Sequence, residues 1–244
     1  MCGIHAVVSQ RLGNPSDISP ALRQYLSSRG PDHFGQIFRR LPGAEGISPV
    51  HLTFTSTVLA LRGDHVATQP LQDTETGSVF CWNGEAWRLE GQGVQGNDAE
   101  AIWARLRVPN CTIPSVREAY VLDVLRSIEG PFAFLFYDSI NRRVYFGRDR
   151  LGRRSLLWSR AEDGRSITFT SVADEPASNW EEVKADGIYS IHLDIPTDRG
   201  GQWSTSNCVL RHDWILSTNA DMVSTRPGFI LLLRVRATAM GLLP

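Results

Sequence analysis

The chain opens with Met1-Cys2-Gly3-Ile4-His5-Ala6-Val7-Val8, and this stretch decides how the rest is interpreted. Gly3–Val8 is mostly apolar and predicts a short buried strand that begins at Cys2. Removal of Met1, which is usual when residue 2 is small, would give Cys2 both a thiol and a free α-amine. A thiol titrates near pH ~8.5 and an α-amine near ~7.7–8.0. Cys2 would then carry its own proton acceptor, unless a cysteine stands there by chance.

The composition is that of a globular protein with almost no net charge. The chain has 244 residues, of which 42% are hydrophobic, enough for one large domain or a domain with an appendage. Its formal net charge is -1, so electrostatics favour binding neither to nucleic acid nor to an anionic membrane. Lys184 is the single lysine among 25 basic residues, so guanidinium groups are the available cations for binding carboxylates.

The cysteines and histidines form no metal or disulfide pattern. Cys2, Cys81, Cys111 and Cys208 contain no CxxC pair, and the six histidines lack ligand spacing. We therefore expect cytosolic thiols and no bound metal. The N-terminus has no basic segment leading into an apolar one, as a secretory signal would. The late apolar run 229–233 is far below the roughly 20 residues that cross a bilayer. We expect a soluble, cytoplasmic protein that binds no membrane.

Three segments carry helix signals. Ser19-Pro20 precedes the apolar spacing of 21–26, and Asn97 with Glu100 resembles a capping box. A third helix is predicted over 116–128.

Strand signals are more numerous, and they occur in clusters. The predicted strands after the first are residues 34–41, 51–61, 79–82, 132–137, 144–146, 155–158 and 167–170. Asn83-Gly84 favours a turn after one of them, and Asp186-Gly187 favours a closing hairpin within 183–193. Clusters of antiparallel strands with helices between them indicate an α+β domain and not a parallel βαβ sheet. We predict a domain over 2–195 and a tail over 196–244, the tail being disordered, a truncated linker, or the start of a second domain.

Five short motifs follow one another along the chain. They are Cys2-Gly3-Ile4, Arg29-Gly30-Pro31-Asp32, Leu61-Arg62-Gly63 with Thr68-Gln69-Pro70-Leu71, Trp82-Asn83-Gly84-Glu85, and Asn97-Asp98-Ala99-Glu100. With residues 147–157, this ordered set resembles the glutaminase domain of class II glutamine amidotransferases. It is most similar to asparagine synthetase domain-containing proteins, over about residues 2–194. The resemblance implies an N-terminal-nucleophile fold, an αββα sandwich of two antiparallel sheets between helical layers.

The resemblance also implies a role for individual residues. Cys2 matches the nucleophile that attacks the side-chain amide of glutamine. Asn83 and Gly84 match the donors of an oxyanion hole, Arg62 the residue that binds the α-carboxylate, and Asp98 the residue that accepts from the α-ammonium. Taken singly, these residues have plainer interpretations: a hairpin turn, a surface arginine and a carboxylate in the first turn of a helix.

Three further residues of the motifs are expected to support the site without taking part in the chemistry. Arg29 and Asp32 are predicted to organise the turn beside Cys2, and Glu85 to anchor a loop or form an inner ion pair. Two positions depart from the better-studied synthetases: Ala86-Trp87 replaces an aliphatic and an aromatic residue, and Asn97 replaces the commoner Ser or Thr.

The motif of the synthetase half is missing from the chain. Asparagine synthetases carry a Ser-Gly-Gly-x-Asp-Ser phosphate loop after this domain, and no such motif occurs here. We therefore expect no cofactor in this chain, since ATP and Mg²⁺ would belong to a synthetase domain or subunit that accepts the ammonia. The predicted function is hydrolysis of glutamine to glutamate and ammonia.

Two alternatives remain open at the level of sequence. One is a catalytically weak or inactive glutaminase fold that serves as a regulatory or interaction module. The other is a related amidohydrolase that acts on a different amide, although Arg62 and Asp98 together suit an amino acid substrate.

Overall fold

The strand that starts at Cys2 lies inside an antiparallel sheet. The computed structural model describes residues 1–11, 18–43, 48–108, 113–173, 180–194 and 208–215. The helices there are α1 (Pro20–Arg29), α2 (Asp98–Leu106) and α3 (Pro114–Arg126). The strands are β1 (Gly3–Ser9), β2 (His33–Leu41), β3 (Val50–Val58), β4 (Leu71–Gln72), β5 (Val79–Gly84), β6 (Arg88–Leu89), β7 (Gln92–Gly93), β8 (Phe132–Asp138), β9 (Arg143–Arg148), β10 (Leu157–Arg160), β11 (Ser166–Thr170), β12 (Glu181–Glu182), β13 (Ile188–His192) and β14 (Val209–His212).

Two six-stranded sheets are formed by the described residues, together with the small β6–β7 hairpin. Sheet A has the order β12-β10-β11-β1-β3-β2, and sheet B has the order β14-β13-β9-β8-β5-β4. Neighbouring strands are antiparallel, as in the pairs of β1 with β3 and of β5 with β8. The predicted α+β class is therefore confirmed.

The side chains of β1 and β5 show how the layers are stacked. Ile4, Ala6 and Val8 point from sheet A into a core that they share with Val79 and Cys81 of sheet B. Strand alternation sends the next residues of each strand to the opposite faces.

Those opposite faces are covered by helices. On sheet A, α1 packs against β1 and β3. On sheet B, Phe80 and Trp82 pack with Ile102 of α2 and Leu125 of α3. The layers are thus helix, sheet, sheet and helix, which confirms the αββα sandwich.

Helix caps agree with the sequence signals. Ser19 Oγ accepts a hydrogen bond from Leu22 N at 3.1 Å, and Asn97 Oδ1 accepts one from Glu100 N at 3.1 Å. Each cap satisfies a backbone N–H that the first helical turn leaves without a partner.

Two predictions about turns are wrong. Asn83 and Gly84 belong to β5 and pair with Ala133 and Phe132 of β8, so the Asn-Gly dipeptide makes no hairpin. Pairing with a neighbouring strand has overridden the local turn preference. The predicted hairpin over 183–193 is also absent, because β12 pairs with β10 in sheet A whereas β13 pairs with β9 in sheet B.

The domain over 2–195 and the tail over 196–244 remain predictions. The compact unit of the structure runs from Met1 to Trp214. It includes β14, which pairs with β13, and the buried side chains of Cys208 and Trp214. A second unit spans 215–244; apart from Ile215 it lies outside the described residues, as do 196–207 of the predicted tail.

A buried ion pair joins α3 to sheet B. The guanidinium of Arg117 binds both carboxylate oxygens of Asp138, at 3.1 and 3.2 Å, and both side chains are fully buried. The same guanidinium donates to the carbonyls of Leu106 and Val108 at 2.6 Å. Arg117 thereby satisfies carbonyl groups at the end of α2 as well as the charge of Asp138.

We expect Arg117→Met to lower the free energy of unfolding by about 3–5 kcal/mol, because it leaves the Asp138 carboxylate buried without a counter-charge. Arg105→Met is the matched control, since it removes a surface pair with Glu90 at 3.1 Å that is worth about 0–1 kcal/mol. Urea denaturation followed by circular dichroism measures both. Equal losses in the two variants would contradict this interpretation of the buried pair.

Candidate active site

One pocket brings together the residues predicted to be catalytic or substrate-binding, and Glu85, but not Arg29 or Asp32. It opens where β1 begins and where β3 and β5 end, and helix α2 starts beside it. Its lining residues are Met1, Cys2, Val58, Leu59, Ala60, Leu61, Arg62, Ala67, Gln69, Trp82, Asn83, Gly84, Glu85, Asn97, Asp98, Ala99 and Arg154. Residues that are up to 153 positions apart in the sequence, Met1 and Arg154, therefore share one cavity.

Cys2 lies at the floor of this pocket, half-buried, one residue before β1. Its Sγ is 3.9 Å from the carbonyl oxygen of Leu59, to which the thiol donates. Burial raises the pKa of the thiol, and the nearby negative charge of Asp98 acts in the same direction, while the chain's amino terminus and Arg29 oppose them. The thiol is therefore protonated at neutral pH, so a reaction at Sγ needs a group that takes the proton.

The backbone around Cys2 is held from three sides. Gly3 N donates to Thr57 Oγ1 at 3.0 Å, Ile4 N donates to Ser171 Oγ at 3.0 Å, and Arg29 Nε donates to the Cys2 carbonyl at 3.2 Å. A Cβ at residue 3 would lie 2.5 Å from Thr57 Oγ1. Only glycine permits this close approach of β1 to β3.

The side chain of Asn83 makes no hydrogen bond with the described residues. Asn83 follows Cys81 by two residues on β5, so strand alternation turns it toward sheet A and Cys2. The residue is fully buried, yet neither Nδ2 nor Oδ1 has a hydrogen-bond partner among the described residues. A buried amide without a partner costs stability, and such groups in native proteins commonly have a functional reason.

Gly84 follows Asn83 at the end of β5, where the neighbouring strand β8 leaves no room for a side chain. A Cβ at this position would lie 2.6 Å from Phe132 Cβ and 2.7 Å from the Pro131 carbonyl. Gly84 also lines the pocket.

Asp98 is the first residue of α2 and is buried. Its Oδ2 accepts from the indole Nε1 of Trp82 at 2.9 Å and from Ala86 N at 2.8 Å. No described residue donates to Oδ1, so that oxygen is available on the pocket side. Trp82 and Asn83 are neighbours on β5 with opposite directions, so one strand both orients Asp98 and presents the amide.

Arg62 lies in the segment between β3 and β4. Its Nη1 donates to the carbonyl of Ala86 at 2.6 Å, and its Nη2 donates to that of Val94 at 2.8 Å. Each terminal nitrogen has a second N–H, so the guanidinium is oriented by the protein and can still bind an anion.

The predicted supporting residues have structural partners. Asp32 Oδ2 accepts from Ala60 N at 2.8 Å, which holds the segment that leads to Arg62. Burial lowers the pKa of Arg29, whose guanidinium reaches Cys2. Glu85 lines the pocket, and its backbone N donates to the Pro131 carbonyl at 2.9 Å.

His65 was not expected to have a role, but it ties the Arg62 segment to α2. Its Nδ1 lies 2.8 Å from Asp64 Oδ1 and its Nε2 lies 2.9 Å from Glu100 Oε1. The hydrogen bonds to these two carboxylates raise the pKa of His65 to about 9. The scattered histidines of the sequence carried no signal for this contact, which depends on how the segment folds back.

Gln69 and Arg154 were also missed as pocket residues. Gln69 Oε1 accepts from Trp82 N at 2.8 Å, so it orients the strand beside Asn83. Both belong to motifs noted in the sequence, at 68–71 and 147–157, and the motifs were the available signal. In the described residues, no group of three or more His, Cys, Asp or Glu is arranged to hold a metal ion. No helix there is long and apolar enough to cross a membrane.

The pocket thus holds a thiol at a strand start, a buried amide without a partner among the described residues, and two oriented charged groups on Arg62 and Asp98. The chain belongs to the glutamine amidotransferase domain family, whose model matches residues 1–186. Over 202 residues it is 35% identical to the chicken (Gallus gallus) asparagine synthetase domain-containing protein 1, covering 79% of this chain and 29% of that protein. The bovine (Bos taurus) protein of the same name is 32% identical over 225 residues, covering 91% and 32%. These matches confirm the resemblance, and the chain spans about a third of the length of these relatives.

The fold is similar to that of solved amidotransferase structures. Glutamine phosphoribosylpyrophosphate amidotransferase from B. subtilis, complexed with ADP and GMP, matches with a TM-score of 0.56 and 13% identity. The match covers 88% of this chain and 49% of that one. At this identity the similarity shows the N-terminal-nucleophile fold alone.

Replacing Asp98 and Asn83 in turn should show which of the two side chains contributes to the stability of the fold. We expect Asp98→Ala to lower the free energy of unfolding by about 1–3 kcal/mol, because it leaves the Trp82 indole and the Ala86 N–H without an acceptor. Asn83→Ala should cost clearly less, because it breaks no hydrogen bond of the described fold. Urea denaturation measures both. A loss in Asn83→Ala as large as that in Asp98→Ala would show that the amide has a structural partner.

Proposed function

We propose that this domain hydrolyses glutamine to glutamate and ammonia through a thioester on Cys2. The observation that carries the proposal is the convergence of Cys2, Arg62, Asn83, Gly84 and Asp98 on one pocket. Each supplies a group that the reaction needs.

Substrate binding would use the two oriented charges. The Arg62 guanidinium would bind the α-carboxylate of glutamine as a fork, and Asp98 Oδ1 would accept from the α-ammonium. The amide end of the substrate would then lie toward Cys2 and Asn83. An amide without an amino acid backbone would satisfy neither charge, which favours glutamine over other amides.

The first half of the reaction forms the thioester. The α-amine of Cys2, free once Met1 is removed, takes the Sγ proton, and sulfur attacks the amide carbon of glutamine. The oxyanion that forms accepts from the Asn83 Nδ2–H and the Gly84 N–H. As the tetrahedral species collapses, the C–N bond breaks and the α-ammonium returns its proton to the leaving nitrogen, which departs as ammonia.

Hydrolysis of the thioester regenerates the enzyme. Water gives a proton to the α-amine as it attacks the acyl carbon, and a second oxyanion forms in the same site. The C–S bond then breaks, glutamate leaves, and the proton returns to sulfur. The chain's own groups supply every proton transfer in these steps, so we propose no metal or cofactor for them.

Met1 itself lines the pocket next to Cys2. Its removal would therefore create the α-amine and widen the space beside the thiol. In this proposal, processing of the N-terminus is the step that activates the site.

We further propose that the ammonia supplies an asparagine-synthetase-like domain or subunit. Support comes from the relatives, which are named asparagine synthetase domain-containing proteins and are about three times as long as the matched region. The unpaired thiols of Cys2, Cys81 and Cys208 support a reducing compartment, the cytoplasm.

The decisive measurement is a glutaminase assay of the wild type beside Cys2→Ala. We expect the wild type, with Met1 removed as checked by intact mass, to release glutamate and ammonia with saturation in glutamine. Cys2→Ala should show no turnover above background, because no nucleophile remains. Equal rates in the two proteins would remove the catalytic role of Cys2. Glutamine binding by calorimetry without turnover in the processed wild type would instead identify a regulatory module.

Asn83→Ala tests the oxyanion hole within the same assay. We expect kcat to fall about 10²–10³-fold, which is typical for loss of one such donor, with a much smaller change in KM. Asn141→Ala is a matched control, because it removes a buried asparagine that does not line the pocket of Cys2 and whose Nδ2 donates to the Pro114 carbonyl. An unchanged kcat in Asn83→Ala would exclude the amide from the reaction.

A further inference from the structure

Arg154 is a positively charged residue of the pocket that has no role in the proposed reaction. It lines the cavity beside Met1 and Cys2 and is half-buried. No described residue accepts a hydrogen bond or forms an ion pair with its guanidinium. Two arginines that are close to it in sequence differ: Arg148, at the end of β9, pairs with Glu182 at 2.7 Å, and Arg153 pairs with Asp149 at 2.9 Å.

The backbone that carries Arg154 is nevertheless fixed by hydrogen bonds. Arg148 Nε donates to the Arg154 carbonyl at 2.6 Å, and Ser155 Oγ donates to the Ser171 carbonyl at 2.7 Å. Ser171 Oγ in turn accepts from Ile4 N at 3.0 Å. The loop is therefore tied to the strand that begins beside Cys2, and the position of Arg154 relative to the amino terminus is set by the fold.

Two arginines from different elements therefore lie close to the amino terminus. Arg29, at the end of α1, donates to the Cys2 carbonyl, while Arg154, in the loop after β9, lines the pocket together with Met1 and Cys2. The other charged side chains that line the pocket are Arg62, Glu85 and Asp98.

These surroundings affect the pKa of the amino terminus. Burial lowers the pKa of the amine of Met1, the charges of Arg29 and Arg154 lower it further, and the Cys2 thiol acts in the opposite direction. After removal of Met1 the amine would lie one residue further in, at the residue whose carbonyl Arg29 binds. A cation there is unfavourable near a second cation, and more so where water is partly excluded.

We propose that Arg154 is a positioning residue for Cys2. The positive charge of Arg154 keeps the α-amine of the processed chain unprotonated, so that the amine is ready to take the Sγ proton. This inference rests on the proposed function, since it assigns the α-amine the part of general base. A base must be in its neutral form to accept a proton, and an α-amine with an ordinary pKa near ~8 is mostly protonated at neutral pH. The charge of Arg154 lowers the pKa of the α-amine without contact between Arg154 and the reacting atoms.

The α-amine can be titrated directly without any turnover. In Cys2→Ala, reductive methylation with ¹³C-formaldehyde labels two amines, the α-amine and Lys184, because the chain has a single lysine. The ¹³C shift of the α-amine signal then gives its pKa in the full-length protein. Intact mass verifies that Met1 is absent.

Arg154→Gln in this background should raise the pKa of the α-amine by half a unit or more, which is about a threefold change in the protonation constant. Arg154→Lys should keep most of the depression, because it keeps the charge. Arg150→Gln is the matched control, since it removes an equal charge from an exposed position in the same loop and should leave the signal unmoved. Arg154→Met, which keeps the aliphatic stem, replaces the glutamine variant if circular dichroism shows that the latter does not fold. An α-amine that titrates alike in the parent and both neutral variants would overturn the proposal.

The pH dependence of glutaminase activity gives the second readout. With Cys2 present, Arg154→Gln should move the acid limb of kcat/KM to higher pH, so that activity at pH 6.5 falls about threefold while activity at pH 9 is retained. KM should not change, and Arg154→Lys should restore the profile. A higher KM at every pH with an unmoved limb would make Arg154 a ligand of the substrate carboxylate and overturn the proposal. A processed wild type without glutaminase activity would refute the proposed function, and the titration would still decide whether Arg154 tunes the amine.

Discussion

One buried hydroxyl group, that of Thr57, joins the three elements that hold Cys2. Thr57 Oγ1 accepts from Gly3 N at 3.0 Å and donates to the Leu26 carbonyl at 2.6 Å, so β1, β3 and α1 meet at a single atom. The contact requires that residue 3 have no side chain. With the start of β1 held in this way, Cys2 lies in the pocket, and Arg29 at the end of α1 donates to its carbonyl.

The second constraint is the alternation of β5. Trp82 faces the helices, where its indole holds Asp98, and Asn83 faces sheet A, where its amide meets the pocket. A shift of one residue in the pairing of β5 with β8 would exchange these two directions. The register is secured by Phe80 and Trp82 in one core and Val79 and Cys81 in the other. The geometry of the candidate site is therefore a consequence of packing on both faces of one strand.

The candidate site contains features that do not stabilise the fold. A buried amide has no partner among the described residues, a half-buried thiol has a raised pKa, and a guanidinium in the pocket has no counter-ion among those residues. Elsewhere the protein satisfies its buried charges, as in the pair of Arg117 with Asp138. Unfavourable features that share one cavity are expected where the folded state is arranged to bind a ligand.

Much of the fold and of the candidate site could be predicted from the amino-acid sequence. Period-two alternation and helix caps predicted the layers and the helix starts at Ser19 and Asn97, because these signals depend on neighbours in the sequence. The ordered motifs placed Cys2, Arg62, Asn83, Gly84 and Asp98 in one family site. What only the tertiary structure decided depends on contacts over long separations: that Asn83-Gly84 continues a strand, that β12 and β13 enter different sheets, that the compact unit reaches Trp214, and that Arg154 enters the pocket of Cys2. Local preferences are worth a few tenths to about 1 kcal/mol per residue, and strand pairing and burial, which no short stretch of sequence displays, outweigh them.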